Sequence, residues 1–362
     1  MERRKFLKGA AIGATGAALA APAVAGGHVK TMTIVSTWGR DTPGLGISAQ
    51  RFAERVTNLS DGAITTEYFA ANERVGAFDV FDEVAAGNSQ AYIAADYYFT
   101  GKHPAFNFFT SVPFGLTHSE HAAWIKFGGG QELWDKLSGQ FGIKPLLVGA
   151  TGTQAGGWFN KEINGPDDFK GLKMRIPGLG GNVLVKLGAS TISLPGPQIY
   201  ENLVSGAIDA TEWVGPYNDY FAKFHEAAKY YYTGGFHEPG SDLCLGTNKS
   251  WWESLTPWEQ SIIEAAAHQE AAAMYEEAIS LNGDYLTKLV EEHGVEIKEF
   301  NDETFDAFYE AWLEVLEETK AHSDLAAEVA DAYMTAVEKY GGFLANFETR
   351  LVNQRNRVMD LG

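Results

Sequence analysis

Between residues 31 and 95, short apolar runs alternate with stretches of helical spacing, and this order restricts the fold more than any other feature of the chain. Residues 31–38 (TMTIVSTW) and 64–69 have the β-branched and aromatic content of strands. Between them Ile47, Phe52, Val56 and Leu59 fall on one helical face, which Asp61-Gly62 ends. Val75, Phe78, Phe81 and Val84 mark a second helix stopped at Gly87, and residues 91–95 follow as a buried strand. Strand–helix–strand–helix order implies a parallel α/β sheet. A chain of 362 residues is long enough for two such domains, each with its own core.

The stretch 172–219 carries the most chemistry. Residues 172–176 read as a strand closed by Pro177, with Arg175 near its end. Residues 183–187 have helical spacing, and 197–205 read as a helix with Pro197 in its first turn. Residues 206–210 return to the sheet, and Glu212-Trp213 come just after. An arginine at one strand end and an acid–aromatic pair after another belong to a crevice beyond the carboxyl ends of strands. Two other strand ends point the same way. Asp96-Tyr97-Tyr98 leave the strand 91–95, and the two tyrosines offer hydroxyls and a ring wall to a small polar ligand, or else cap the core. Thr151-Gly152-Thr153-Gln154 leave a strand at 144–150. Gly152, Gly156 and Gly157 allow close backbone approach there, but no Gly-Lys-Ser/Thr follows, so this is no phosphate loop.

The aromatic run 106–116 reads as a crossover near a hinge. His118 and His121 flank Glu120, but not in His-Glu-x-x-His spacing, and Thr117 with Glu120 reads as a helix start rather than a zinc site. After an apolar run at 230–236, His237-Glu238-Pro239-Gly240 leave the sheet. Thr256, Pro257 and Glu259 then open a helix by N-cap, first-turn proline and capping box. Its pattern continues to about His293, with Gly294 as the stop. Continuous through Asn282-Gly283, it would be about 55 Å long and form a backbone shared by both domains. Further amphipathic helices are marked by Phe305, Phe308, Trp312, Val315 and Leu316, by residues 325–340, and by Phe343, Phe347 and Leu351.

Composition excludes several classes. A formal net charge of −19 argues against nucleic acid or an anionic membrane surface as partner. The single cysteine, Cys244, excludes an intrachain disulfide and every Cys-cluster metal motif. It reads as a small buried hydrophobe within Leu243-Cys244-Leu245. At the N-terminus Arg3-Arg4-Lys5 precede the apolar residues 10–21 and an Ala23-Val24-Ala25 cleavage site, which together read as a twin-arginine export signal over residues 1–25.

Lys173-Met174-Arg175-Ile176-Pro177-Gly178 and Asp209-Ala210-Thr211-Glu212-Trp213-Val214-Gly215-Pro216, with Ala150-Thr151-Gly152-Thr153-Gln154 upstream, give the chain a family resemblance. It resembles the substrate-binding proteins of tripartite ATP-independent periplasmic (TRAP) transporters, in the branch that takes 2-oxo acids such as pyruvate. The resemblance covers essentially the whole mature chain. It implies a two-domain periplasmic binding-protein fold with a hinge, a long domain-spanning helix and extra C-terminal helices. The expected division is residues 30–150 plus about 240–275 in one α/β domain, and 151–239 plus about 276–320 in the other. Residues 321–362 form C-terminal helices, exchanged in a homodimer or folded back on their own chain. A 2-oxo acid presents a carboxylate suited to the two-pronged guanidinium of Arg175. Its carboxylate and carbonyl oxygens can together chelate a hard cation. The resemblance implies that Gln154, Glu212, Trp213 and Glu238 hold that cation, sodium or calcium, and that Tyr97, Tyr98, Gln154 and Trp213 touch substrate beside Arg175. Membrane permease subunits of a TRAP transporter are the implied partners. Pro197 and Gln198 depart from the family pattern, where Gly then Glu is expected, which puts helix capping or closure in question. The rival is an exported enzyme acting on a small organic acid, against which stands the absence of Cys-x-x-Cys, Gly-x-Gly-x-x-Gly and Gly-x-Ser-x-Gly motifs.

Overall fold

The computed structural model describes residues 29–361, so the expected export signal at 1–25 lies outside the described residues. Eleven strands among the described residues are, in chain order, β1 (Lys30–Ser36), β2 (Ile64–Phe69), β3 (Ala91–Ala94), β4 (Ile143–Ala150), β5 (Gly157–Phe159), β6 (Lys173–Arg175), β7 (Ser190–Ile192), β8 (Ala210–Thr211), β9 (Tyr230–Tyr232), β10 (Asp242–Asn248) and β11 (Glu296–Lys298). They form two sheets, of order β2-β1-β3-β10-β4 and β11-β9-β5-β8-β6-β7.

Both sheets are mixed, although the expected parallel order holds for the strands of residues 31–95. The first three strands do run parallel, as their helical crossovers require. In the first sheet β10 lies antiparallel to β3 and β4, and in the second β5 lies antiparallel to β8 and β9. These are the two strands reached directly from the opposite sheet, through the short connectors 151–156 and 233–241. A strand entered without a helical crossover escapes the constraint that makes βαβ units parallel.

The two connectors run side by side. Thr151 N–H donates to Ser241 O at 2.9 Å, and Gln154 N–H donates to Glu238 O at 3.0 Å. The expected helix from Val75 is shorter than its apolar spacing, covering only Val80–Ala85. Asn72 takes a left-handed backbone at φ 67°, and its N–H closes a turn on Val75 O, so residues 71–79 are spent on turns.

The long helix Pro257–Glu291 has 35 residues, about 52 Å at 1.5 Å per residue, and passes through Asn282-Gly283 without a break. Thr256 and Glu259 form the expected capping box. The helix packs on β4 and on helix Leu45–Leu59 beside the first sheet, and on helix Pro216–Ala222 beside the second. Helix Asp302–Lys320 then packs on helix Gly178–Lys186, and Asp324–Asn346 packs on the first-sheet helices His118–Phe127 and Gly130–Ser138. Helix Glu348–Met359 buries none of its residues. His118 and His121 hold no zinc-like geometry. Their Nδ1 atoms bracket the buried carboxylate of Asp242 at 2.6 and 2.7 Å, at the start of β10. Cys244 is fully buried beside the Tyr92 hydroxyl.

Candidate ligand and cation site

Arg175 ends β6, and Glu212 follows β8, its parallel neighbour; Glu212 N–H donates to Arg175 O at 3.2 Å. Both side chains are buried, at 1% and 0% exposure. The guanidinium donates through Nη1 to Glu212 Oε1 and through Nε to Leu194 O at 3.1 Å. It stands over the Trp213 ring, 5.3 Å from the centroid. The indole fits there because residue 196 is glycine: a Cβ at that position would lie 2.5 Å from the ring. Pro197 occupies the first turn of helix Gly196–Val204, and Gln198 N–H donates to Pro195 O at 2.9 Å, so the helix starts normally despite the departure from the family pattern.

The connectors bring in the remaining donors. Gln154, on the first, donates through Nε2 to Thr151 Oγ1 at 3.1 Å and leaves its amide oxygen free. His237 and Glu238, on the second, are 2% and 3% exposed. From the first sheet, Tyr97 and Tyr98 sit on a 3₁₀ turn after β3, packed edge to face with centroids 4.8 Å apart. Tyr97 is buried, while Tyr98 is half-buried and lies against Phe78 at 4.7 Å. Tyr97 also faces Gly178, at the start of the helix after Arg175, so the two sheets meet here. A small cavity between them is lined by Trp38, Tyr97, Tyr98, Gln154, Trp213 and Ser241. Two larger grooves, one beside His118 and His268 and one beside His225 and His293, do not reach Arg175.

The electrostatics are unfavourable in the chain by itself. Burial pushes Glu212 up to about 7 against the pull of Arg175, and burial plus the charge of Glu212 pushes Glu238 up to about 7. Burial pushes His237 down to about 4, so its ring is neutral near pH 7. Burial also works against the charge of Arg175, but Glu212 and the two tyrosines hold its pKa above the ordinary value. Gln154 Oε1, Arg175 Nη2, Glu212 Oε2, Glu238 Oε2 and both ring nitrogens of His237 are buried without a hydrogen-bond partner. Each orphaned buried polar group costs about 1–3 kcal/mol, so their concentration at one point marks a place built for a guest. Three free oxygens suit a hard cation, and the free guanidinium nitrogen suits an anion.

Of the residues singled out in the sequence, Tyr97, Tyr98, Gln154 and Trp213 line that small cavity, Arg175 lies over Trp213 and against Glu212, and Glu238 sits on the connector paired with the one that carries Gln154. His237 was missed, although Glu212, His237 and Glu238 each place a ligand atom within 4.8 Å of the others. Its adjacency to Glu238 was the available signal.

The chain is similar to known proteins over most of its length. The family model for bacterial extracellular solute-binding protein, family 7 (DctP), matches residues 34–322. A monocarboxylate 2-oxoacid-binding periplasmic protein of Nostoc sp. is 38% identical over 324 residues, covering 88% of this chain and 89% of its own. A TRAP periplasmic solute-binding protein from Pseudoalteromonas atlantica, solved with bound sodium and pyruvate, superposes with a TM-score of 0.87 at 38% identity, over 90% of this chain and 98% of that one. One from Colwellia psychrerythraea, solved with bound calcium and pyruvate, gives 0.87 at 36% identity, over 90% and 99%.

Proposed function

Because the chain belongs to the DctP family of TRAP-transporter solute-binding proteins, which are periplasmic and bind rather than transform their ligand, we propose that it captures a short 2-oxo monocarboxylate of the pyruvate kind together with a cation. It then delivers the pair to membrane permease subunits. Family membership removes the exported-enzyme alternative. The observation that carries the ligand assignment is the convergence of the spare Arg175 nitrogen with the spare oxygens of Gln154, Glu212 and Glu238 in one buried place.

In this proposal Arg175 pairs with the ligand carboxylate through its free prong, with Trp213 and the two tyrosines forming the wall around the rest of the molecule. Gln154, Glu212, Glu238 and the Trp213 backbone carbonyl would hold sodium or calcium, which neutralises the buried carboxylates and gives the ligand oxygens a common partner. The domains are residues 30–150 plus about 240–275, and 151–239 plus about 276–320, hinged at the paired connectors 151–156 and 233–241. A ligand that touches both shifts the hinge equilibrium toward closure. Export proceeds by the twin-arginine route. The unpacked helix Glu348–Met359, with Phe347, Leu351 and Val358 exposed, packs against a second copy, because a 12-residue helix with no buried face is marginal by itself.

The test is a tryptophan-fluorescence titration of the mature protein, unfolded and refolded to strip carried-over ligand. Pyruvate, 2-oxobutyrate, 2-oxoisovalerate, lactate and succinate are added in choline buffer, then with sodium or calcium. Saturable 2-oxo acid binding that needs the cation is expected. Binding indifferent to every cation would remove Gln154, Glu212 and Glu238 as cation ligands, and no response to any of these acids would overturn the ligand class.

A further inference from the structure

We propose that His237 supplies a nitrogen ligand to the cation site, so that the site takes a borderline divalent metal ion more tightly than sodium or calcium. This rests on the cation-dependent binding proposed above and adds a donor that the oxygen-only ligand set does not contain.

Both ring nitrogens of His237 are buried without a hydrogen-bond partner. Nε2 stands 3.5 Å from Glu212 Oε2, outside normal hydrogen-bond distance. A buried imidazole placed for structural reasons bonds through at least one nitrogen, as His121 does to Asp242 and to Phe108 O. His237 bonds through neither, and it is held where it is. A Cβ on Gly180 would come within 2.5 Å of the His237 Cβ, so the ring backs directly onto bare helix. Phe236 before it stacks on Phe308 at 3.9 Å, and Glu238 after it donates its N–H to Gly235 O at 3.1 Å. The fixed ring therefore shares one small space with the free oxygens of Glu212 and Glu238, all three ligand atoms lying within 4.8 Å of each other.

Donor chemistry decides the metal class. Sodium and calcium take oxygen ligands, whereas imidazole suits cobalt, nickel, copper and zinc. Charge separates divalent from monovalent ions, calcium included, and leaves the choice among divalent ions to the nitrogen donor. Two carboxylates and a bound ligand carboxylate are opposed by the single guanidinium of Arg175, so a divalent ion brings the buried group to neutrality and a monovalent ion leaves it one charge short. Uncompensated buried charge is strongly unfavourable.

The experiment uses the mature protein stripped with a chelator, with pyruvate present and Co2+ as the metal probe. Binding is followed by visible absorption, in competition with Ca2+ and Na+, and pulsed EPR of the frozen complex reads nitrogen coupling to the metal. One equivalent of Co2+ binding at least tenfold tighter than Ca2+, with imidazole nitrogen coupling, is expected in the wild type. In His237→Gln the coupling disappears and Co2+ affinity falls at least tenfold. The wild-type spectrum alone decides the matter should the variant not fold. An oxygen-only spectrum, or Co2+ affinity unchanged in His237→Gln, would overturn the nitrogen ligand; pyruvate binding retained with sodium or calcium in that case leaves the proposed function standing. Loss of pyruvate binding in the wild type under every cation would overturn the proposed function and this inference with it.

Discussion

At the scale of single residues, Arg175 carries most of the proposed recognition. Its guanidinium spends Nη1 on Glu212 and Nε on Leu194 O, and its free nitrogen is what a ligand carboxylate can use. Arg175→Lys removes the fork, because an ammonium cannot hold the strand end, Glu212 and the ligand in one plane. The expected loss in 2-oxo acid affinity is about 10- to 100-fold, from the roughly 1.5–3 kcal/mol of a hydrogen bond to a charged group; unchanged affinity by calorimetry would remove Arg175 from the site. A second residue-scale prediction concerns acids under the two sheets. Burial raises Asp96 to about 6, with Trp134 and Tyr92 bonded to it, and raises Asp219 to about 7, with Trp158, Tyr231 and Val214 N–H bonded to it. Both folded values lie above the unfolded one of about 3.9, so their stabilising contribution is complete below about pH 4 and is lost as pH rises through 6 and 7. The ligand-free protein should melt at a higher temperature at pH 5 than at pH 8, by on the order of 2–4 kcal/mol in stability. Asp219→Asn, which mimics the neutral acid, should flatten that slope; a slope unchanged in the variant would mean that other groups set it.

Among the elements, the long helix and the paired connectors organise the molecule. Thr256 and Glu259 satisfy three donors at the helix start: Glu259 Oε2 accepts from Thr256 N–H at 2.6 Å and from Thr256 Oγ1 at 2.9 Å, and Thr256 Oγ1 accepts from Glu259 N–H at 3.3 Å. Thr256→Ala should cost about 1 kcal/mol, read as a lower melting temperature, with ligand affinity unchanged. An affinity loss would show that the helix start feeds into the site after all. Further along, Asn282 Oδ1 accepts from Tyr217 N–H at 3.0 Å, so a residue resembling a helix breaker instead fastens the second-sheet side to the helix. The connectors are held by Asp242, clamped between His118 and His121 where β10 begins, four residues after Glu238. The histidine pair that invited a metal assignment thus anchors the segment that carries the site.

At the level of the whole molecule, a formal charge of −19 disfavours an anionic ligand at long range, although screening limits this to about 8 Å at physiological salt. Capture therefore depends on local compensation by Arg175 and a cation. No described helix is long and apolar enough to cross a membrane, so delivery in this proposal rests on docking to the permease. The C-terminal helix gives the last prediction. The full mature chain should sediment as a dimer, and a chain ending at Asn346 should sediment as a monomer that still binds its ligand. A monomeric full-length protein would instead place that helix on a different partner.

Local chemistry made much of this legible in advance. Apolar periodicity and caps located the helices, Pro177 and Pro197 placed the turns around Arg175, and the strand-end arginine, acid and tyrosines foretold the crevice. Those signals are short-range, so the sequence by itself determined which stretches form most of the elements and which residues leave their ends. Tertiary structure alone decided that β5 and β10 run backwards, because strand direction depends on which sheet the chain has just left. It alone turned the start of the helix expected from Val75 into turns, sent His118 and His121 to Asp242, and brought His237 beside Glu212 across 25 positions of sequence. Burial set the rest: whether a histidine or a glutamate is solvated, paired or left free for a metal depends on what surrounds it, and those neighbours come from distant parts of the chain.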